Sequence, residues 1–401
     1  MAKQLEKTVK ELFKWTSISL VIGTGIGLLA SFFLMSLALV TKIREANLWI
    51  ILFLPLSGML FMHLYLKYSR ESLGGNNLVI RQGQGATGNV PWQMLPLTLF
   101  GTITTHLFGG SVGREGTAVQ MGGALAEATG KLFRVNQKDR WLLIICGISG
   151  GFSAVFGTPV AGAIFSFEVL KRAKFKGTSL VVSLLTALIA NRVATLAGAT
   201  HSLYQLGEVP QTTLRVFGYV LVFSVIFGLV SRFFAFSVSF IKKLYQKLIV
   251  NEVLRIGFGA CLVLLLAGSY GTSRYLGLSL PILSDSFQGS QPTFDFLNKF
   301  IFTVLSLGAG FQGGEVTPLF EIGASLGSLL GQLSQLPVGF VAGLGFVSVF
   351  AGATKTPVAS FFMALELFGV TAAGWFLLGS FISVLASGKK GIYESQLRKI
   401  S

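Results

Sequence analysis

The chain reads as an all-α membrane protein made of two internal repeats. Three observations carry that reading: long runs without charge, a repeated Thr-Pro-Val-Ala segment, and glycine-rich breaks inside otherwise apolar stretches. Of 401 residues, 52% are hydrophobic and 12% charged, about half the charged share of a soluble domain. Mean hydropathy is +0.70. Thr16–Thr41, Ala46–Leu66, Gln82–Gly113, Trp141–Phe167, Val216–Ser231, Ile322–Thr354 and Leu367–Gly388 contain no Asp, Glu, Lys or Arg. A helix needs about 20 such residues to span a bilayer. Several runs are long enough, whereas others, such as 322–354, are broken by Gly or Pro.

In chain order, residues 1–14 form a basic tail or short surface helix. Residues 15–200 form the first membrane repeat, 201–214 a polar connection, 215–388 the second repeat, and 389–401 a C-terminal cytoplasmic helix. The first span, about 16–41, carries GTGIG, which suits close helix packing. A second span runs from about 46 to 68, followed by a break at Gly74-Gly75-Asn76-Asn77. Residues 91–108 make the next helix. Trp141–Val169 holds two short helices separated at Gly157-Thr158-Pro159, since proline cannot continue a helix from within. Residues 177–199 close the first half, and a long helix over about 215–248 opens the second.

The repeat shows as Gly157-Thr158-Pro159-Val160-Ala161 followed by Glu168, matched by Lys355-Thr356-Pro357-Val358-Ala359 followed by Glu366. Phe152 and Phe350 match at the same spacing. Near that spacing from Gly113–Thr117 lies Gly313-Gly314-Glu315-Val316-Thr317-Pro318. Two repeats with helices broken at Gly and Pro predict a site at mid-membrane where half-helix ends converge. Irregular backbone is tolerated there because it lines a cavity or is buried in protein.

The net charge of +16 does not point to nucleic acid, because the basic residues flank apolar spans rather than lining one face. Lys3, Lys7, Lys10 and Lys14 precede the first span, and Lys389, Lys390, Arg398 and Lys399 follow the last. The positive-inside rule then puts both ends in the cytoplasm, with an even number of crossings. Clusters at Lys171–Lys176 and Lys242–Lys247 are expected on the same side. Cys146 and Cys261 are isolated, and His63, His106 and His201 are too dispersed for a metal set. The first apolar run is too long for a cleavable signal peptide. With eight residues after Tyr393, no soluble regulatory domain is expected. No nucleophile–base pair or phosphate-binding loop is present, so neither an enzyme nor a cofactor is expected.

The chemistry concentrates in Gly109–Gly122, GGSVGREGTAVQMG. A carboxylate next to so apolar a run is costly and calls for a function. Glu115 opens a short helix whose first amides are unpaired donors at the positive end of the dipole. Such an end is an anion site, which Glu115 can itself occupy or yield to a dissolved anion.

Gly113-Arg114-Glu115-Gly116-Thr117 resembles the GREGP signature of the CLC family of chloride channels and anion/proton exchangers. Gly314-Glu315-Val316-Thr317-Pro318 stands at that family's GxFxP signature, and Tyr393 at its central tyrosine. The resemblance covers essentially the whole chain. It implies the CLC inverted-repeat fold of tilted, broken helices, and a homodimer with one anion pathway per subunit. Gly75-Asn76-Asn77-Leu78-Val79 takes the place of the GSGIP signature, with Asn76 for the anion-binding serine. Thr117 replaces the proline of GREGP, and Val169 replaces the inner proton-transfer glutamate of the chloride exchangers. These departures resemble the bacterial fluoride branch, CLC-F, whose members are fluoride/proton antiporters.

That resemblance implies fluoride export from the bacterial cytoplasm across the inner membrane, with fluoride, protons, lipid and a second copy of the chain as partners. A chloride/proton exchanger or passive anion channel is the alternative. Glu115 is then a gate that vacates its place when protonated. Glu315 handles protons or shapes the site, since a permanent anion would repel fluoride. Asn76 offers an amide N–H and Thr317 a hydroxyl. Gly113, Arg114, Gly116, Thr117 and Val316 complete the anion-binding set, with Arg114 chiefly orienting the loop and Thr117 also suited to helix capping. Tyr393 supplies a phenol at the inner mouth. Glu168 and Glu366 read as helix-end or packing residues. Proton delivery from inside must bypass Val169, through a deep movement of Glu115 or through Glu315 with water.

Overall fold

The structure, a computed structural model, describes residues 2–171, 177–202 and 204–397. Sixteen α-helices make up the described residues, eight in each half and in matching order. The first eight are α1 (Ala2–Ala46), α2 (Leu54–Tyr68, entered through a 3₁₀ turn at Leu48–Phe53), α3 (Gly75–Gly83), α4 (Met94–Leu107), α5 (Glu115–Leu132), α6 (Arg140–Phe156), α7 (Pro159–Leu170) and α8 (Gly177–Leu196). Their counterparts are α9 (Leu214–Leu248), α10 (Glu252–Tyr270), α11 (Pro281–Gln288), α12 (Asp295–Ala309), α13 (Val316–Ser334), α14 (Val338–Thr354), α15 (Pro357–Phe368) and α16 (Ala373–Ala386). The break at Gly157–Pro159 and the long helix near 215–248 are present, whereas Gly75, Asn76 and Asn77, expected in a break, open α3, and the interruption lies before them at Ser69–Gly74.

Six helices among the described residues are long and apolar enough to cross a bilayer. The others are shorter or, like α5 and α13, less apolar, as expected of helices that end inside the protein. At both proline breaks the residue closing the preceding helix is left-handed: Gly157 has φ 78° and Lys355 φ 62°. Pro159 and Pro357 then start the next helices, where a missing N–H costs nothing.

Packing repeats as the sequence does. α5 lies on α6 and α13 on α14, while α7 meets α15 across the middle. A methyl group at Gly122 would overlap the Gly147 carbonyl, and one at Gly323 the Gly345 carbonyl. These glycines therefore set the close crossing in each half. Two of the GTGIG glycines do the same between α1 and α8, Gly23 against Ile189 and Gly27 against the Ala190 carbonyl, while Gly25 meets Leu125 of α5. Phe152 and Phe350 come together at the centre, ring centroids 6.2 Å apart.

Two expectations at the chain ends are corrected. Residues 1–14 are not a separate tail or helix, because α1 runs unbroken from Ala2 through Ala46. The described part of the C-terminal segment, 389–397, is not an α-helix. It folds back, with a short 3₁₀ turn at Glu394–Leu397 and Tyr393, Ser395 and Gln396 buried. Arg398 and Lys399 lie outside the described residues, as do the side chains of Lys3, Lys7 and Lys10 and residues 172–176 of the Lys171–Lys176 cluster.

Glu168 and Glu366 are helix-end residues of an unexpected kind. The Glu168 carboxylate on α7 accepts from Val358 N and Ala359 N at the start of α15, at 3.0 and 2.6 Å. Glu366 on α15 accepts from Val160 N and Ala161 N at the start of α7, at 2.9 and 2.8 Å. Each repeat thus caps a helix of the other.

Candidate anion site

Arg114 is the N-cap of α5 and Glu315 the N-cap of α13. The two helix starts are repeat equivalents, and the loops before them are tied by a two-residue antiparallel bridge. Gly113 N donates to Gly314 O at 2.6 Å, and Gly314 N to Gly113 O at 2.7 Å. Equivalent residues paired antiparallel imply a local two-fold relation, so α5 and α13 bring their positive ends to one locus. The fit leaves no slack. A Cβ on Gly116 would stand 2.7 Å from Asn76 Nδ2 and 2.9 Å from the Gly314 Cα.

Glu115 does not rest on the start of its own helix, as the sequence suggested. Its carboxylate accepts from the Thr317 hydroxyl, at 2.6 Å to Oε1 and 2.7 Å to Oε2, and from Thr317 N at 3.0 Å. The seat is therefore built by α13, 202 residues away in the chain. Arg114 closes the other side, through its backbone N at 3.2 Å and its Nε at 3.4 Å. The carboxylate is 1% exposed, so hydrogen bonds to its charge have little competition from water.

The remaining predicted residues divide into those at the seat and those beside it. Val316 begins α13 and is buried, with its N–H among the helix-start donors. Asn76 lies in the first turn of α3, against Gly116 and beside Glu315, with its own Oδ1 unpaired. Glu315 Oε2 is likewise buried without a hydrogen-bond partner. Gly113 spends its N–H on the bridge rather than offering it to an anion. Thr117 is also occupied elsewhere, its hydroxyl 2.7 Å from that of Thr102 on α4.

Tyr393 is buried, and its segment is pinned from three sides. Ile392 N donates to Ala353 O, Ser395 N to Asn77 Oδ1, and Gln396 Nε2 to both Val169 O and Thr354 O. Val169 is itself buried. A cleft reaches Glu115 between Phe156, Phe320, Phe346, Tyr204 and His201, so a few of the 36 phenylalanines line the approach.

Sequence reasoning missed Lys299 and Glu321, a buried pair with Nζ 3.2 Å from Oε2. A single charge within each of two apolar windows, FLNKFIFTVL and PLFEIGASLG, was the available signal. It also missed Asn77, whose side chain ties the C-terminal turn to the first turn of α3.

The family model described as voltage gated chloride channel matches residues 57–388. A chloride/fluoride channel protein of Pseudomonas syringae pv. tomato is 40% identical over 389 residues, 96% of this chain and 86% of that one. The H(+)/Cl(-) exchange transporter ClcA of Vibrio cholerae is 25% identical over 390 residues, 89% of this chain and 82% of its own. Among solved structures, a CLC-type fluoride/proton antiporter superposes with a TM-score of 0.93 at 38% identity, covering 96% of this chain and 98% of that one. A slow cyanobacterial Cl-/H+ antiporter shares the fold, with a TM-score of 0.81 at 19% identity over 95% and 96% of the two chains. Its matched signatures, its two interlocked repeats and these likenesses make the chain a member of the voltage gated chloride channel family, CLC.

Proposed function

We propose that the protein exports fluoride in exchange for protons, as a homodimer with one pathway per subunit in the bacterial inner membrane and with both termini cytoplasmic. The observation that carries this reading is the Glu115 carboxylate seated by Thr317 at the start of α13. Ionised, Glu115 is the anion that fills the seat. Protonated, it has no net charge to offer the donors and gives way to a dissolved halide. One proton is thereby exchanged against anion movement, and a plain pore would need no such plug. The 38% identity to a CLC-type fluoride/proton antiporter supports fluoride and proton coupling, and the 40% relative is named for both chloride and fluoride.

Fluoride is small and tightly hydrated, so it enters only where close donors replace its water. The Thr317 hydroxyl and N–H and the Asn76 amide are such donors. Glu315, beside Asn76, takes up a proton as the halide passes and so avoids repelling it. With Val169 apolar and Gln396 bound to its carbonyl, Glu115 and Glu315 are the acidic groups at the site that can carry the inner proton step. The test is proton movement in vesicles containing the purified protein, driven by a fluoride or a chloride gradient. Fluoride-driven proton flux is expected in the parent and absent in Glu115→Gln. Flux driven by chloride alone would favour the chloride exchanger, and halide flux without protons the passive channel.

A further inference from the structure

Among the described residues, one ion pair that the mechanism above leaves unused is fully buried, Lys299 of α12 with Glu321 of α13. Both side chains are 0% exposed. A pair of charges removed from water is tolerated only when further hydrogen bonds complete it. Lys299 is complete: its Nζ also donates to Gly277 O at 3.0 Å and to Ser279 Oγ at 2.9 Å. Glu321 is not: its Oε2 has only the Lys299 ammonium and its Oε1 has no hydrogen-bond partner. The two partners therefore differ in what they lose if the pair is neutralised. A proton on Glu321 leaves Lys299 with two acceptors still in place, whereas removing the Lys299 charge would orphan a carboxylate that has nothing else.

The pair also lies close to the anion seat. Thr317, which clamps Glu115, and Glu321 are four residues apart on α13 and so share one helix face. The charged groups that act on Glu321 are Lys299 of α12, Glu115, and Arg114 before α5. Tyr204 of the connection lines the same cleft as Glu115 and Arg114. Arg44 of α1 and His106 of α4 stand behind Lys299. Arg44 donates to the His106 carbonyl at 2.6 Å, so this cationic side of the pair is fixed.

We propose that Glu321 is a further proton-binding site, in addition to Glu115 and Glu315, linked to occupancy of the seat at the start of α13. A proton on Glu321, one helical turn along α13 from Thr317, leaves the ammonium 3.2 Å from its carboxyl uncompensated, and that positive charge then favours an anion at the seat. When the anion departs, the proton leaves to water and the pair reforms. Anion and proton therefore favour each other's binding by the same factor, as linkage requires. This inference rests on the fluoride reading of the seat.

Calorimetric fluoride titration of the full-length protein in detergent, in two buffers of different ionisation heat, counts the protons taken up per fluoride. The Glu115→Gln background removes the gate's own contribution. Uptake is expected to persist in Glu115→Gln and to fall more than twofold when Glu321→Gln is added. If that combination does not fold, Lys299→Met with Glu321→Gln in the same background replaces the pair by neutral groups, which buried sites accept, and the same loss is expected. Unchanged uptake in either variant overturns the proposal, as does uptake abolished wholly by Glu315→Gln. A parent that binds chloride but not fluoride sinks the fluoride reading instead, and the same variants then test the linkage with chloride.

Discussion

Replacing Glu168 by glutamine separates two roles that its position allows. It stands next to Val169, where chloride exchangers have a proton-transfer glutamate, yet its carboxylate caps α15 through Val358 N and Ala359 N. Glutamine keeps one acceptor oxygen and turns an NH2 group toward the other N–H. One charge-assisted bond is lost, worth about 1.5–3 kcal/mol, and the favourable charge at the helix start contributes about 0.3–1 kcal/mol more. The expected cost is about 3 kcal/mol, roughly a hundredfold in the folded-to-unfolded ratio. Glu366→Gln, which uncaps α7 in the same way, is expected to cost about as much. Equilibrium unfolding in detergent measures the loss, and proton flux in vesicles is expected to keep its ratio to fluoride flux. Glu168→Gln protein as stable as the parent but unable to move protons would refute the cap and make Glu168 a proton carrier.

Three further perturbations probe the seat. Gly116→Ala puts a methyl 2.7 Å from Asn76 Nδ2 and 2.9 Å from the Gly314 Cα; overpacking of this kind costs about 1–3 kcal/mol, and fluoride flux should drop at least tenfold in protein that still assembles. Thr317→Val removes the hydroxyl that holds both Glu115 oxygens, so the gate is held less firmly and the ratio of protons to fluoride, read from paired electrode traces, should fall. Asn76→Ser shortens the donor beside Glu315 and is expected to shift preference toward chloride, with a fluoride/chloride flux ratio equal to the parent's as the contrary result.

Much of the fold was readable because membrane helices announce themselves by uncharged length, and because the Thr-Pro-Val-Ala repeat marks equivalent breaks. The anion site was readable as a set of residues but not as an arrangement. Glu115 was assigned to the start of α5, which it opens, whereas Thr317 of the other repeat receives it. That choice depends on how two helix ends meet across the local two-fold axis, and no local pattern encodes it. Thr117 illustrates the same limit: its hydroxyl could have capped a helix or faced an anion, and a threonine one helix away on α4 takes it. The C-terminal segment misled for a different reason. Its basic composition resembles a cytoplasmic helix, but Asn77, Val169 and Thr354 supply polar partners that draw Ser395 and Gln396 inward.

The Gly113–Gly314 bridge and the exchanged glutamate caps have a consequence for how transport proceeds. The two halves of the chain are stitched together at the very point where many transporters hinge, so tilting them apart would break both bridge hydrogen bonds and the four cap bonds. What moves must be small: a carboxylate swinging off threonine, a phenol yielding, a few atoms in all. Crosslinks engineered between the repeats, away from Glu115, should therefore leave turnover intact.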